Sequence, residues 1–460
     1  MTSIATPSHD PRTARLLEAP VLRTLLALSA PNALVMLTQS AVSMLEVYFL
    51  SKLGLHVLAG VSEVFPLVAL VAAVSTGAVG GGIVSAIART LGQGRRSDAS
   101  ELAWYALVIA IVLGLATTLI VLMAGRAFYV AMGAEGEALT AATTYSNVVF
   151  GGAVLIWIFN ALLSVVRGTG NTTLPMLVVC GGAVVLIPLS PLLIFGFHAL
   201  PGLGVSGGAI ALLLYYAGGS GIFARHIWRH RGILTPSPRC PRLTFSRAYE
   251  ILRVGGLSTL VSASTNLTIA ITTGFVGQHG AAAVAGYGAG ARLEFFLVPL
   301  AFGIGGPMAI LVSTNIGAGD PGRALKAAWI GVGIAAGVTE VIGLAASRWP
   351  DAWIGAFTTD PAAIAAGCEY LRQAGPFFGF FGAGFALYCA AQGTGRMELP
   401  LLGAAARSVL AIGGGLLAAS LGGIFLSVAI GMAAFGLIAL PNLLFKVGFI
   451  HPVPRKTATQ

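Results

Sequence analysis

Charged residues are scarce in this chain. Of its 460 residues only 9% are Asp, Glu, Lys or Arg, whereas 56% are hydrophobic. In soluble domains about a quarter of the residues are charged. The deficit excludes an ordinary soluble globular fold and indicates that most of the surface faces lipid. The 62 glycines agree with this, because small residues let membrane-spanning helices approach closely.

Cysteine is also scarce. The chain has four, and their spacing is not that of metal ligands. Cys180 and Cys389 lie inside apolar segments, while Cys240 and Cys368 stand far from each other. We therefore expect buried structural thiols, with neither a disulfide framework nor a metal site.

Catalytic and targeting signals are missing as well. No His-rich or Asp-rich cluster and no phosphate-cradling loop is present, so the sequence does not predict an enzyme. The stretch up to about Leu22 lacks an apolar run with a small-residue cleavage site, and we interpret it as a cytoplasmic lead-in helix. The net charge of +10 resides in short loops between apolar runs, a distribution that argues against nucleic acid as a partner.

Twelve segments are long and apolar enough to cross a bilayer as helices, which takes about 20 residues each. Their approximate spans are 25–50, 57–90, 100–128, 140–167, 173–196, 205–229, 250–277, 283–316, 322–347, 364–393, 398–421 and 424–448. Several exceed the minimum, which indicates tilt or protrusion from the membrane rather than extra crossings. The sequence therefore predicts an all-α integral membrane protein with twelve transmembrane helices.

Basic residues cluster in every second connection, and the stretch 225–253 is the richest. The positive-inside rule places such connections in the cytoplasm. We therefore expect both termini to be cytoplasmic and the protein to lie in the inner (plasma) membrane of the cell. The residues used are Arg12, Arg15, Arg23, Arg89, Arg95, Arg96, Arg167, Arg225, Arg229, Arg231, Arg239, Arg242, Arg247, Arg253, Arg323, Lys326, Arg396, Lys446, Arg455 and Lys456.

The chain also repeats itself at a constant offset, which is the separation in sequence between Gly168 and Gly393. Gly168-Thr169-Gly170 recurs as Gly393-Thr394-Gly395, and several separate blocks share this repeat offset. They pair Leu174-Pro175 with Leu399-Pro400, Gly92 and Gly94 with Gly317 and Gly319, Gly80-Gly81 with Gly305-Gly306, and Ala99 with Ala324. Such a pattern indicates two homologous halves. Six crossings per half is even, so we predict two six-helix lobes related by a parallel pseudo-two-fold repeat.

The repeat also predicts domain boundaries and a class of function. We assign an N-terminal lobe to 1–230, a cytoplasmic linker to 231–246 and a C-terminal lobe to 247–460. Two lobes that rock about a cleft are a design of secondary transporters, whereas channels gain their symmetry from separate subunits. Transport of a small molecule is therefore the favoured function.

At this point the chain resembles the multidrug and toxic compound extrusion family over nearly its whole length. Each motif is weak alone, but their order, their spacing and the internal repeat together are specific. The first half contributes Pro31, Gln39, Leu53-Gly54, Leu58-Ala59-Gly60, 88–94, 167–175, 191–196 and 202–209. The second half contributes 292–294, Pro299, 315–319 and 393–395.

The resemblance implies an antiporter that exchanges protons or sodium ions for amphipathic, often cationic, compounds. Glu46 matches the family's acidic position in the first helix, which is usually Asp, but the acidic position in the fifth helix is Ser190. The other family branch has carboxylates in the seventh and tenth helices, where this chain has Asn266 and, near the outer end of the tenth, Glu369. The sodium cluster is thus incomplete, and protons are the favoured coupling ion.

Four glutamates lie within apolar runs, where an ionisable group is costly and needs a reason. We assign ion coupling to Glu46, Glu63 and Glu294, with Glu46 first because it lies well inside its helix. Burial penalises the charged form of a carboxyl group, as a reversible proton carrier requires. Glu63 has a comparable depth, so the two carboxyls could share one proton. Glu340 is expected to reach the membrane interface.

The remaining candidates concern cargo and bending. Arg407 is a lone cation in an apolar run and needs an acid, a carbonyl or water. If it faced the cavity it would disfavour a cationic cargo, which leaves anionic or zwitterionic cargo as an open alternative. Cavity or substrate contacts are assigned to Gln39, Phe65, Asn160, Asn266 and Arg292, and hinges to Pro31, Pro188 and Pro191.

The functional prediction is therefore proton-driven export of small amphipathic, cationic compounds by alternating access. The expected partners are a small-molecule substrate and the lipid bilayer, the expected state is a monomer, and no cofactor is expected beyond the coupling ion. Two alternatives stay open at this point: sodium-coupled export, and a flippase of the same superfamily that moves lipid-linked precursors.

Overall fold

The computed structural model describes residues 10–197, 200–229 and 232–444, and these are almost wholly helical. Arg231, Lys446, Arg455 and Lys456, which entered the orientation argument, lie outside the described residues, as does the predicted twelfth segment beyond 444. An apolar chain in lipid must satisfy its backbone hydrogen bonds within each segment, and a helix does so.

The lead-in helix α1 (Pro11–Glu18) is followed by long helices joined by short turns. In the first half these are α2 (Val21–Ser51), α3 (Leu55–Ala72), a π-helical stretch (Ala73–Val79), α4 (Gly80–Gly92), α5 (Arg96–Ala131), α6 (Gly136–Gly151), α7 (Ala153–Gly168), α8 (Thr173–Phe195) and α9 (Val205–Trp228). The second half has α10 (Phe245–Gly277), α11 (Ala281–Ala318), α12 (Pro321–Arg348), α13 (Pro350–Ile354), α14 (Pro361–Ala374), a 3₁₀ turn (Gly375–Phe377), α15 (Phe378–Thr394), α16 (Glu398–Leu417), α17 (Leu421–Ala439) and α18 (Pro441–Leu444). Between α8 and α9, β1 (Gly196–Phe197) pairs antiparallel with β2 (Leu200–Pro201).

Within the described residues, eleven helical segments are long and apolar enough to cross a membrane. The pair α6 and α7, bent by 49° at Gly152, makes a twelfth crossing if it is counted as one span. This confirms the predicted all-α fold of twelve transmembrane helices. The small hairpin of β1 and β2 was not predicted, because two-residue strands leave no hydropathy signal.

The chain divides into two compact units. The first comprises Met1–Thr13 and Leu34–Gly255, and the second comprises Ala14–Ala33 and Gly256–Gln460. Two of the long helices, α2 and α10, therefore begin in one unit and end in the other.

Each unit contains the same close helix packing. In the first unit α3 packs on α6 so tightly that a Cβ on Gly60 would overlap the carbonyl oxygen of Ala138. In the second unit α11 packs on α14, and a Cβ on Gly286 would overlap the carbonyl oxygen of Ala363. Ala138 and Ala363 are separated by the repeat offset, and the two glycines by one position more.

A second pair of contacts follows the repeat as well. A Cβ on Gly168 would lie 3.2 Å from the carbonyl oxygen of Val84, and a Cβ on Gly393 would lie 3.1 Å from that of Ala309. Both members of the second contact follow those of the first by the repeat offset. The internal repeat of the sequence is thus a repeat of packing, since the same glycines admit the same neighbouring backbones.

The tenth crossing is interrupted where α14 gives way to the 3₁₀ turn and α15. Glu340 on α12 accepts a hydrogen bond of 2.7 Å from the backbone nitrogen of Gly379, in the first turn of α15. A carboxylate at a helix start satisfies a free amide and complements the helix dipole. The helix break therefore gives Glu340 a partner within its unit, and its reach to the membrane interface stays a prediction.

The stretch 232–244, within the predicted linker, is irregular in structure but lies against the N-terminal part of α5. Trp104 Nε1 donates to the carbonyl oxygen of Ser237 at 2.9 Å, and the backbone nitrogen of Thr235 donates to Ser100 Oγ at 2.9 Å. This stretch belongs to the first unit and is held there by hydrogen bonds.

Candidate ion-coupling and substrate sites

Glu46 lies five residues before the end of α2, about 8 Å along the helix axis from Ser51. Its side chain is buried, with 6% of the residue exposed. The hydroxyl of Tyr145, on α6, donates a hydrogen bond to Glu46 Oε1. No Lys, Arg or His of the described chain forms an ion pair with Glu46.

A narrow crevice beside Glu46 is formed by residues of α2, α8 and α9. Its lining residues are Leu45, Glu46, Leu186, Ser190, Gly208 and Leu212. Ser190, which the sequence resemblance matched to an acidic position, is buried, and its hydroxyl has no hydrogen-bond partner. The crevice therefore offers one carboxyl and one hydroxyl. No group of three or more His, Cys, Asp or Glu that could hold a metal ion occurs within the described residues.

Glu63 is half-buried on α3, in the same unit. Its Oε2 atom is buried and has no hydrogen-bond partner, while the carboxyl of Glu46 takes its hydrogen bond from Tyr145. In this conformation no hydrogen bond joins the two glutamates, and the shared proton stays a prediction.

Glu294 lies on α11 in the second unit, with 3% of the residue exposed. Its Oε1 atom forms an ion pair with Arg407 of α16, and its Oε2 atom accepts a hydrogen bond of 3.2 Å from the hydroxyl of Tyr370 on α14. The acid that the sequence required for Arg407 is therefore Glu294. Arg292, two residues earlier, is exposed, and its guanidinium lies 5.1 Å from the ring centroid of Phe357.

Tyr145 and Tyr370 are themselves separated by the repeat offset. Each lies on the first part of a broken crossing, and each donates its hydroxyl to a buried glutamate of its own unit. Neither tyrosine was among the site residues assigned from the sequence. The repeat offset was the signal that would have paired them.

Asn160 lies on α7, opposite the π-helical stretch that interrupts the second crossing. Its Nδ2 atom donates to Ser75 Oγ at 2.8 Å, and the residue is 2% exposed. Its Oδ1 atom is buried without a partner. A π-helical segment leaves backbone groups out of the regular ladder and is frequent at functional sites.

The other predicted cargo residues are divided between the two units. Gln39 and Phe65 are half-buried in the first unit, and Phe65 packs against its apolar core. Asn266 is exposed in the second unit, where its Nδ2 atom bonds the carbonyl oxygen of Ser262 at 2.9 Å. Among described residues no hydrogen bond joins any two of Gln39, Asn160, Asn266 and Arg292.

All three predicted hinge prolines lie inside helices. Pro188 and Pro191 are in α8, and Pro31 is in α2. Pro31 is two residues before Ala33, the last residue of α2 that belongs to the second unit. A proline inside a helix removes one backbone hydrogen bond and weakens the ladder at that point.

Comparison with known proteins agrees with this architecture. The MatE family model matches residues 31–192 and 258–417. The FAD transporter of Shewanella oneidensis is 27% identical over 317 residues, which is 68% of this chain and 69% of that protein. The probable multidrug resistance protein NorM of Thermotoga maritima is 27% identical over 330 residues, 70% of this chain and 69% of that protein.

A solved structure shares the fold. It is that of a MOP superfamily transporter from Pyrococcus furiosus, which superposes with a TM-score of 0.87 over 95% of this chain and 98% of the other, at 23% identity. The two blocks matched by the family model together cover more than half of the chain, one in each half. The protein therefore belongs to the MatE family, whose members are membrane transporters and not enzymes.

Proposed function

We propose that the protein is an antiporter that exports small amphipathic cations in exchange for protons by alternating access, with Glu46 as the group that binds the proton. The observation that supports this is the isolation of the Glu46 carboxyl, which is buried, hydrogen-bonded to Tyr145 and without a cationic partner among the described residues. A buried carboxyl without a counter-charge can bind a proton, because its charged form is poorly solvated, and can release it when a cation comes close.

Exchange follows from competition for one group. A cationic cargo beside Glu46 favours the ionised carboxylate, and a proton displaces the cargo by removing that charge. Each tenfold gain in competition takes about 1.4 kcal/mol of differential binding free energy. One desolvated ion pair is enough to provide this difference.

Sodium is less favoured than the proton as the coupling ion. Sodium in proteins needs several oxygen ligands, as other hard cations do. The crevice beside Glu46 has Ser190 where a second carboxylate would stand, and this loss of charge weakens any sodium site. A proton needs only the carboxyl itself.

An anionic cargo has one argument in its favour, the similarity to a FAD transporter. The unpaired cation that would attract such a cargo is not available at Arg407, because Glu294 neutralises it. FAD therefore serves as a test substrate beside a fluorescent organic cation. The same transport assay can be run with a lipid-linked precursor, which is the cargo expected of a flippase.

We further propose that both termini are cytoplasmic, that the monomer is the working unit in the plasma membrane, and that Pro31 is the hinge of α2. The position of Pro31 supports the last point, since the helix passes from one unit to the other within three residues of it.

The test is efflux from proteoliposomes under an imposed pH gradient and, separately, under a sodium gradient. Glu46→Gln should abolish proton-driven efflux of the cation and leave insertion intact, since it removes only the ionisable group. Glu46→Asp should keep part of the activity. Glu137→Gln, at an exposed glutamate at the start of α6, is the matched control and should transport as the natural protein does. Full pH-driven transport by Glu46→Gln would overturn the assignment.

A further inference from the structure

The Glu294–Arg407 ion pair is buried among the helices of the second unit. The side chains are 4% and 3% exposed, and both belong to the second unit. An ion pair at such depth is poor evidence of stabilisation, because removing both charges from water costs as much as their attraction returns. Charged groups inside a membrane protein are costly and mark functional sites. This pair therefore needs a reason beyond packing.

The groups that face Glu294 define its electrostatics. Arg407 comes from α16, Tyr370 from α14 and Tyr287 from its own helix, where the Tyr287 and Tyr370 rings meet edge to face with centroids 5.1 Å apart. The α15 helix supplies the ring of Phe381, whose centroid lies 4.9 Å from the Arg407 guanidinium carbon. Among these groups, Arg407 is the one that carries a positive charge.

The Arg407 guanidinium uses only some of its hydrogen-bond donors. Its Nη2 atom contacts Glu294, while its Nε and Nη1 atoms are buried without a hydrogen-bond partner. A residue selected only to cross-link helices would be expected to use more of its five donors. The main contribution of Arg407 is therefore its positive charge beside the Glu294 carboxylate, rather than a set of hydrogen bonds.

The first unit contains the same tyrosine without the cation. Tyr145 and Tyr370 are repeat partners, and both donate to a buried glutamate. The residue that precedes Arg407 by the repeat offset is Gly182, and a Cβ there would already touch the ring of Tyr215 at 2.6 Å. In the first unit, therefore, the position that corresponds to Arg407 holds no cation, and Glu46 forms no ion pair with a described residue, whereas Glu294 does.

We propose that Arg407 is a built-in counter-cation that occupies the place of the proton at Glu294. The second unit then holds an acid that stays ionised throughout the cycle, so a transport cycle moves one proton fewer than the number of buried glutamate–tyrosine pairs implies. Glu294 is a latent proton site, and Arg407 sets the proton-to-cargo ratio. This inference rests on the proposed proton coupling for its meaning in transport.

Infrared difference spectroscopy of the purified protein in lipid tests the protonation step directly. Acidification of the natural protein should give a carboxylic acid C=O band that Glu294→Gln does not reduce. Arg407→Met should add a second such band, raising the signal about twofold relative to Glu46 alone, and Glu294→Gln in the Arg407→Met background should remove the addition. An unchanged band in Arg407→Met, or loss of band intensity in Glu294→Gln alone, would overturn the proposal.

The double variant Glu294→Gln/Arg407→Met covers the case in which Arg407→Met alone does not fold, since it leaves no charge unpaired. It should keep proton-driven efflux with the proton-to-cargo ratio of the natural protein, measured from the reversal potential. A folded double variant that has lost coupling would refute the counter-cation role. The infrared band expected in Arg407→Met reports the carboxyl of Glu294 itself. A failure of the counter-cation proposal can therefore be distinguished from a failure of the Glu46→Gln prediction.

Discussion

At the scale of single residues, the three glutamates assigned to ion coupling differ in what faces them. Glu46 has a phenol, Glu294 has a phenol and a guanidinium, and Glu63 has one oxygen without a partner. Depth along a helix, which sequence provides, does not distinguish them.

Tyr145→Phe tests whether the phenol positions the Glu46 carboxyl. Loss of a hydrogen bond to a charged group destabilises that group, here the ionised Glu46 carboxylate, by about 1.5–3 kcal/mol. We therefore expect at least a tenfold loss of proton-driven efflux. Tyr129→Phe is the matched control, because this buried tyrosine of the same unit bonds Ser146 at 2.7 Å. Equal losses in the two variants, measured beside their melting temperatures, would show that general destabilisation and not positioning is responsible.

The sequence identified Glu46, Glu294 and Arg407 as residues that needed an explanation, because charge in an apolar run is visible without a structure. It could not pair the last two, since Glu294 and Arg407 are 113 residues apart and lie on helices that local patterns do not relate. Tyr145 was visible only as an aromatic, because most aromatics in a membrane protein simply fill space.

At the scale of helices, glycine decides how closely neighbours approach. Gly60→Ala should lower the melting temperature in detergent, because the added Cβ would overlap the backbone of Ala138 and push α3 from α6. Gly181→Ala is the control: this helical glycine has open space around it, and alanine favours the helix by about 1 kcal/mol. Gly60→Ala is therefore expected to lower the melting temperature, and Gly181→Ala is expected to raise it. A Gly60→Ala protein as stable as Gly181→Ala would show that the close approach is dispensable.

Helix interruptions were the least predictable elements. The bend at Gly152 and the π-helical stretch Ala73–Val79 occur within apolar runs whose hydropathy is continuous. The hydrogen bond from Gly379 to Glu340 depends on a break that only the folded unit shows. Hydropathy reports where a helix can lie, whereas breaks follow from packing against neighbours.

At the scale of the whole molecule, twelve crossings were predictable because lipid leaves a polypeptide few alternatives. The repeat was predictable from glycines, since these mark contacts that both halves retain. Orientation depends on loop charge alone, and it remains a prediction.

Cysteine labelling tests that orientation. In a background without Cys180, Cys240, Cys368 and Cys389, a cysteine at Gly133 or Gly202 should react with an impermeant reagent added outside intact cells. A cysteine within 232–244 should react only after the membrane is opened. External labelling of that stretch would reverse the topology.

The shared offset of the two tyrosines has an evolutionary consequence. In a symmetric homodimer every substitution appears twice, so both copies of a site change together. Fusion of two ancestral copies into one chain removes that obligation. Arg407 in one half and Gly182 in the other are what such freedom permits: two descendants of one position, each adapted to a different partner.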